Sequence, residues 1–224
     1  MKCKICDSDK TRFINVNVSK CLKCGTLFKN EKVDYDKEYV DYWFDLNDKN
    51  FEWYLKDQEN WFNYFKDDIK DGKIMEIGGA NGLILNQLIG LNNSLVLQEL
   101  VDIRPKELVC KEINFKKGKI EDVLGKMKGK SIDSFIMCNV LEHLNDVPKI
   151  LNRLHSKLKK KGRILISTDD GDNPMGGLMA QLNHTEHTVT LTRNAFDILC
   201  KDKFNIIKYW NVSDYLIYVV LEKK

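Results

Sequence analysis

The stretch Ile74-Met75-Glu76-Ile77-Gly78-Gly79-Ala80-Asn81-Gly82 constrains this chain more than any other. An apolar strand carrying a carboxylate runs into a turn of small residues, and the turn opens into the amphipathic run Leu83–Leu91. A strand, a tight turn and a helix N-terminus together bring main-chain amides close to a ligand, and only small side chains allow that approach. A dinucleotide-binding turn requires G-x-G-x-x-G. Counted from Gly78, Ala80 stands at the second glycine and Leu83 at the third. The spacing fits acid-x-G-x-[G/A]-x-G instead, with Glu76, Gly78, Ala80 and Gly82 in the pattern and Gly79 inside the turn.

Around this unit the chain alternates strand and helix. Hydrophobic periodicity predicts strands at Lys73–Ile77, Ser94–Val101, Ile113–Lys116, Ile132–Cys138 and Gly162–Ser167. Helices are expected from Leu83, from Pro105, over Glu121–Met127 and over Val147–Lys160, with another after the N-cap residue Thr192. Phe204–Trp210 and Tyr215–Leu221 close the chain as an antiparallel pair. The fold class is α/β, with its ligand crevice at the carboxyl ends of the strands.

The turn in this setting resembles the class I S-adenosylmethionine-dependent methyltransferases. That resemblance implies S-adenosylmethionine as cofactor, bound by Glu76, Gly78, Gly79, Ala80 and Gly82. It also implies a Rossmann-like sheet whose seven strands, numbered along the chain, lie in the order 3-2-1-4-5-7-6. An acid at the end of the second strand then holds the ribose hydroxyls. Asp102, followed by Arg104-Pro105, matches the local family pattern, and Glu99 fits the distance from Gly82 better; both stay open, with Asp102 favoured. Gly118-Lys119-Ile120-Glu121-Asp122 is similar to the family's G-D-x-E-D segment, except that Lys119 replaces the acid that receives the adenine amino group. A lysine cannot accept that hydrogen bond, so Glu121 or the main chain at Ile120 takes its place.

Asn139-Val140-Leu141-Glu142-His143-Leu144 resembles the V-L-E-H motif of many small-molecule methyltransferases. The likeness sets Asn139 beside the sulfonium and His143 at the crevice mouth, where a base or a metal ligand is useful, while Glu142-His143 caps the following helix in many relatives. Further on, His184-Thr185-Glu186-His187 is similar to the Y-H-E-H loop of zinc-ribbon deoxysugar C-methyltransferases. It implies His187 as general base, with Glu186 and His184 beside it, and a sugar or nucleotide-linked sugar as acceptor. The large carboxyl-terminal domain of those relatives has no counterpart in this sequence.

Four of the seven cysteines fall at Cys3-x-x-Cys6 and Cys21-x-x-Cys24. Two such knuckles complete a closed tetrahedron of thiolates, the donor set of a structural zinc ion. A strand over Arg12–Val18 is expected between them. Residues 1–30 thus read as a zinc ribbon, 31–70 as an aromatic helical connector or lid, and 71–224 as the methyltransferase domain. More than half of the aromatic residues lie between Tyr35 and Phe65, with Tyr39, Tyr42 and Trp43 as lid candidates. Cys110, Cys138 and Cys200 read as packing residues.

A net charge of +3, with few arginines among 36 basic residues, argues against a nucleic-acid partner. No apolar run is long enough to cross a membrane, and no apolar leader follows Met1, so a reducing cytoplasmic setting is expected. A small-molecule acceptor is preferred over two rivals. One is an RNA or protein methyltransferase that docks its substrate on the ribbon; the other is a non-enzymatic module with a degenerate cofactor pocket.

Overall fold

Neighbouring residues along the central strands serve two different apolar layers, which is the reason this sequence forms a sheet covered on both faces. In β4 (Lys73–Ile77), Met75 and Ile77 belong to one layer and Ile74 to the other. The same alternation runs through Phe135, Ile136 and Met137 of β7 (Ile132–Cys138) and Ile164, Leu165 and Ile166 of β8 (Leu158–Asp169). The computed structural model describes residues 1–32, 51–91, 93–99, 111–173 and 186–224.

The other strands of this sheet are β5 (Ser94–Glu99), β6 (Ile113–Lys117), β10 (Phe204–Asn211) and β11 (Leu216–Lys223). The order is β10-β11-β8-β7-β4-β5-β6. Numbered along the chain, that is the 3-2-1-4-5-7-6 arrangement. β4, β5, β6, β7 and β8 are parallel, and β11 runs antiparallel between β8 and β10. The fold is therefore the mixed α/β, Rossmann-like sheet of class I methyltransferases. Among the described residues, no helix is long and apolar enough to cross a membrane.

Helix α1 (Phe51–Phe65) and the short α2 (Leu83–Asn86) lie on one face. On the other lie α3 (Ile120–Lys126), α4 (Val147–Lys157) and α5 (Arg193–Cys200). Thr192 does cap α5, accepting from the Ala195 amide at 3.1 Å. Asp146, not the Glu142-His143 pair, caps α4 and accepts from Lys149 N. The helix expected over Leu83–Leu91 has only four residues before it gives way to turns. α4 stops at Lys157, and the exposed Lys159, Lys160 and Lys161 form an irregularity in β8, across which pairing jumps from Leu158 to Arg163.

The ribbon strands are β1 (Thr11–Phe13), β2 (Val18–Cys21) and β3 (Leu27–Lys29). The single strand expected over Arg12–Val18 is instead a hairpin, because Asn15 Oδ1 accepts from the amides of Asn17 and Val18 and turns the chain. β9 (Val189–Thr190), far along the chain, pairs antiparallel with β3 and completes this second sheet. The lid candidates Tyr39, Tyr42 and Trp43 and the helix expected at Pro105 lie outside the described residues, as does Cys110. Cys200 is buried and Cys138 half-buried against the core.

From α1, Trp61, Tyr64 and Phe65 surround the fully buried ring of Tyr218, with centroids 4.9, 4.7 and 4.6 Å away. These rings fasten the helix to β11. Phe65→Ala should cost about 3–5 kcal/mol of unfolding free energy in a urea titration; a loss below about 1 kcal/mol would mean that α1 does not depend on this packing.

Candidate active site

The chain leaves β4 to one side for β5 and β6, then returns to the other side as β7, so no crossover covers the carboxyl ends between β4 and β7. The small-residue turn occupies that opening. Gly78, Ala80 and Gly82 all have positive φ, at 62°, 48° and 75°. At Gly78 the next strand's loop adds a second demand: a Cβ there would come within 2.6 Å of Val140 Cγ2. At Gly79 the demand comes from below. Glu76 folds back under the turn, so that a Cβ on Gly79 would be 2.3 Å from its Cδ. Glu76 is fully buried, and its Oε2 has no hydrogen-bond partner among the described residues. Burial pushes its carboxyl up to about 8; a hydrogen bond from the Leu85 amide opposes this, and the charge of Glu99 adds to it.

Glu99 ends β5 and is buried, with Oε2 accepting from Ala80 N at 3.1 Å. It thus reaches the glycine turn from the neighbouring strand. Its rival Asp102 lies outside the described residues. Lys119 is the N-cap position of α3, followed by the buried Ile120. These residues line one half of the crevice. A turn that a Cβ would fill, beside a buried acid at the strand end, fits an adenosyl ligand whose ribose and main-chain-facing atoms come close to backbone.

The other half rests on β7 and β8. Asn139 takes a left-handed φ of 53°, a conformation asparagine tolerates. Its side-chain Oδ1 accepts from Ser167 Oγ at 3.1 Å. Beyond it, Glu142 and His143 form a 3-10 turn (Leu141–His143). His187 Nδ1 lies 2.7 Å from Asp169 Oδ2, at the last residue of β8, and both side chains are nearly buried. His143 stands edge-on to His187 with ring centroids 4.7 Å apart, and its Nδ1 is 3.4 Å from the main-chain oxygen of Glu186. Glu142 Oε2 accepts from Thr168 Oγ1 at 2.9 Å.

Burial pulls the His187 imidazole toward its neutral form. The 2.7 Å contact with Asp169 and the charges of Glu142, Asp169 and Glu186 outweigh that, and its pKa is raised above the ordinary 6.5. Burial and the charge of Asp169 raise Glu142 to about 7, with His187 opposing them. Asp169 thus faces His187 Nδ1, and the charge of the sequence-adjacent Glu186 also acts on the ring. His184 lies outside the described residues. Asp169 and Thr168 carried no motif signal; their only trace in the sequence is their location at the end of a core strand.

At the ribbon, Cys3 Sγ is 3.6 Å from Cys24 Sγ and Cys6 Sγ is 3.5 Å from Cys21 Sγ. All four sulfurs lie within 4.8 Å of one another. Tetrahedral zinc with Zn–S bonds of about 2.3 Å requires neighbouring sulfurs about 3.8 Å apart, so the cluster has the right size. Ile5 N and Cys24 N approach Cys3 Sγ and Cys21 Sγ at 3.4 Å, and such amides stabilise thiolate charge.

Residues 51–207 match the family described as "Methyltransferase domain", and the chain belongs to that family. It is a class I, S-adenosylmethionine-dependent methyltransferase. No curated protein matches it by sequence. Among solved structures, it resembles the Burkholderia thailandensis 1,6-didemethyltoxoflavin-N1-methyltransferase with bound 1,6-didemethyltoxoflavin and S-adenosylhomocysteine, at 11% identity and TM-score 0.68, covering 96% of this chain and 99% of that one. An S-adenosylmethionine-dependent methyltransferase from Mesorhizobium loti aligns with TM-score 0.56 at 13% identity over 67% and 90% of the two chains. The CurJ carbon methyltransferase aligns with TM-score 0.52 at 15% identity, covering 69% of this chain and 49% of that one. At these identities the structural likeness concerns the fold.

The buried Glu76 has a consequence for stability. The folded carboxyl keeps its proton up to about 8, while the unfolded one releases it near 4.5. The contribution to stability is therefore complete below the unfolded value and disappears as pH rises through the folded one. In cofactor-free protein, Glu76→Gln should gain on the wild type in urea midpoint as pH rises across that window. A constant difference between the two proteins would show that Glu76 is already ionised.

Proposed function

We propose that this methyltransferase acts on a small molecule, with a sugar or sugar-nucleotide acceptor preferred, and that His187 removes the acceptor's proton. The observation that carries this reading is the 2.7 Å contact between His187 Nδ1 and Asp169 Oδ2 beside Glu142 and His143. Asp169 fixes the ring so that Nε2 is the nitrogen left to accept a proton, and it stabilises the imidazolium that results. Glu142, held by Thr168, adds negative charge to the same pocket.

When bound, S-adenosylmethionine supplies a methyl group already activated by its sulfonium. The protein's share is alignment and exclusion of water, which can contribute about 7–11 kcal/mol when near-attack geometry is held. In this reading the backbone of Gly78, Gly79, Ala80 and Gly82 approaches the cofactor above Glu76. Glu99, already bonded to the turn, would hold the ribose hydroxyls, with Asp102 as the alternative; Ile120 would serve the adenine and Asn139 the sulfonium end. Proton removal by histidine suits a hydroxyl or a carbon acid next to a carbonyl, which is the chemistry of a keto sugar. The toxoflavin-precursor and carbon-methylating neighbours agree with a low-molecular-weight acceptor or a carbon centre, but their substrates belong to them. Cys3, Cys6, Cys21 and Cys24 hold a structural zinc ion, whose binding contributes to the folding of residues 1–30.

Turnover with a panel of nucleotide-linked keto sugars tests the acceptor class. His187→Ala should lower kcat by about 100-fold or more while S-adenosylmethionine affinity stays near that of the wild type. Its acidic pH–rate limb in the wild type should lie above 6.5, because the base must be deprotonated and its pKa is raised. Turnover surviving the substitution would remove the base assignment. Glu99→Ala should instead weaken cofactor binding by about 10-fold or more, read by calorimetry; unchanged affinity would leave Asp102 as the ribose acid. One zinc per chain by elemental analysis, lost in Cys3→Ser/Cys24→Ser, is expected of the ribbon, and zinc-free wild type would refute it.

A further inference from the structure

We propose that Thr188 is a positioning residue for His187, and that the cysteine ribbon acts through it as a clamp on the acid–base cluster. This rests on the reading of His187 as base. Hydrogen bonds join the ribbon to the catalytic half of the fold along residues 188–194. β3 pairs with β9 at Leu27–Thr190 and Phe28–Val189, and Lys29 N donates to Thr188 O at 2.9 Å. A residue later on the chain, Thr192 Oγ1 donates to the main-chain oxygen of Cys24, itself one of the four cysteines. Asn194 Nδ2 donates to Lys23 O at 2.9 Å. Gly25 is held so close that a Cβ on it would lie 2.9 Å from Thr192 Cγ2. The carboxyl end of the second knuckle and the strand after it are thereby anchored to the chain that follows His187.

Thr188 carries this anchorage into the site. It is fully buried. Its amide donates to Glu142 O at 2.6 Å, and its hydroxyl lies 3.0 Å from the same oxygen and 2.6 Å from Leu144 O. The residue next to His187 is thus fastened on one side to ribbon strand β3 and on the other to the turn bearing Glu142 and His143. The place of His187 against Asp169 and His143 is set from its carboxyl side by Thr188. A hydroxyl bridge of this kind defines distance, because a shift of about 1 Å in a reacting group can cost about 100-fold in rate.

The geometry also gives the ribbon a role in catalysis without contact with substrate. When the four sulfurs are gathered, Cys21–Cys24 and β3 have one arrangement, and β9 is paired to it. When they are not, the β3 partner for Thr188 O and β9 is lost, and His187 keeps only its contacts on the core side.

The test uses full-length protein and the imidazole resonances of its histidines, with the His187 signal assigned from His187→Ala. Thr188→Val keeps the shape and removes the hydroxyl; Thr188→Ser keeps the hydroxyl. Thr188→Val should shift the His187 signal and lower kcat by about 10- to 100-fold with cofactor affinity retained, while Thr188→Ser restores both. Stripping the ribbon with a chelator should move the same signal, again with S-adenosylmethionine affinity retained. A His187 signal unmoved by Thr188→Val or by chelation overturns the clamp, as does loss of cofactor affinity in parallel with kcat, which marks general unfolding. Because the resonance reports position whether or not His187 takes a proton, failure of the clamp is separable from failure of the base assignment in His187→Ala.

Discussion

The parting of the chain on either side of β4 is the constraint on which the site depends. Crossovers leave β4 toward β5 and return to β7 on its other flank, so among the described residues no crossover covers the carboxyl ends of β4 and β7, while their backbones remain in parallel register. Everything in the crevice answers to that gap. The turn after β4 must rise into it, and the loop after β7 presses Val140 against Gly78. A residue with a branched side chain at Gly78 would have to displace that loop, and with it Asn139, Glu142 and His143. The glycine turn and the loop bearing Asn139, Glu142 and His143 therefore pack closely at Gly78 and Val140.

Charge is distributed unevenly across this gap, and the reason is solvent. Glu76 lies under the turn, where burial keeps its carboxyl protonated at neutral pH. A neutral acid there avoids placing a bare anion beneath backbone that must itself face a ligand. Glu142 sits on the other side with its proton shared among competing influences, since Asp169 and His187 push it in opposite directions. Asp169 and His187 act as one unit in this balance. The imidazolium is favoured because three carboxylates surround it, so the same acids that hold the ring make it a better proton acceptor.

Much of the fold could be read from the chain, and the limits have physical causes. Strand–turn–helix at Glu76–Gly82 and the paired C-x-x-C knuckles are local patterns in which residue type and spacing determine geometry. The sheet order came through resemblance, because periodicity carries no information on which strands are neighbours. The contact of His187 with Asp169 is not legible in the sequence for a related reason. Asp169 is distant in sequence and meets the histidine only through the end of β8. β9, two residues long, has no periodicity to detect, though it joins the two sheets' neighbourhoods at the most consequential point. Glu99 was legible as a candidate by distance, but its bond to Ala80 N is a tertiary fact.

A module as small as the ribbon has too few residues to bury a core of its own. Here the deficit is met from two sources at once. The sulfur cluster organises one side of it. On the other side Cys3, Ile5, Cys21, Cys24 and Phe28 merge with Leu191, Ala195 and Phe196 into the same apolar layer that supports β4 and β7. The cysteines thus belong both to the sulfur cluster and to the core, and the segment that packs against them follows His187. An appendage attached only by a flexible tether could be lost without effect on the crevice. One that shares a hydrophobic layer, a strand pair and a helix cap with the catalytic half is part of the scaffold that sets the distances there.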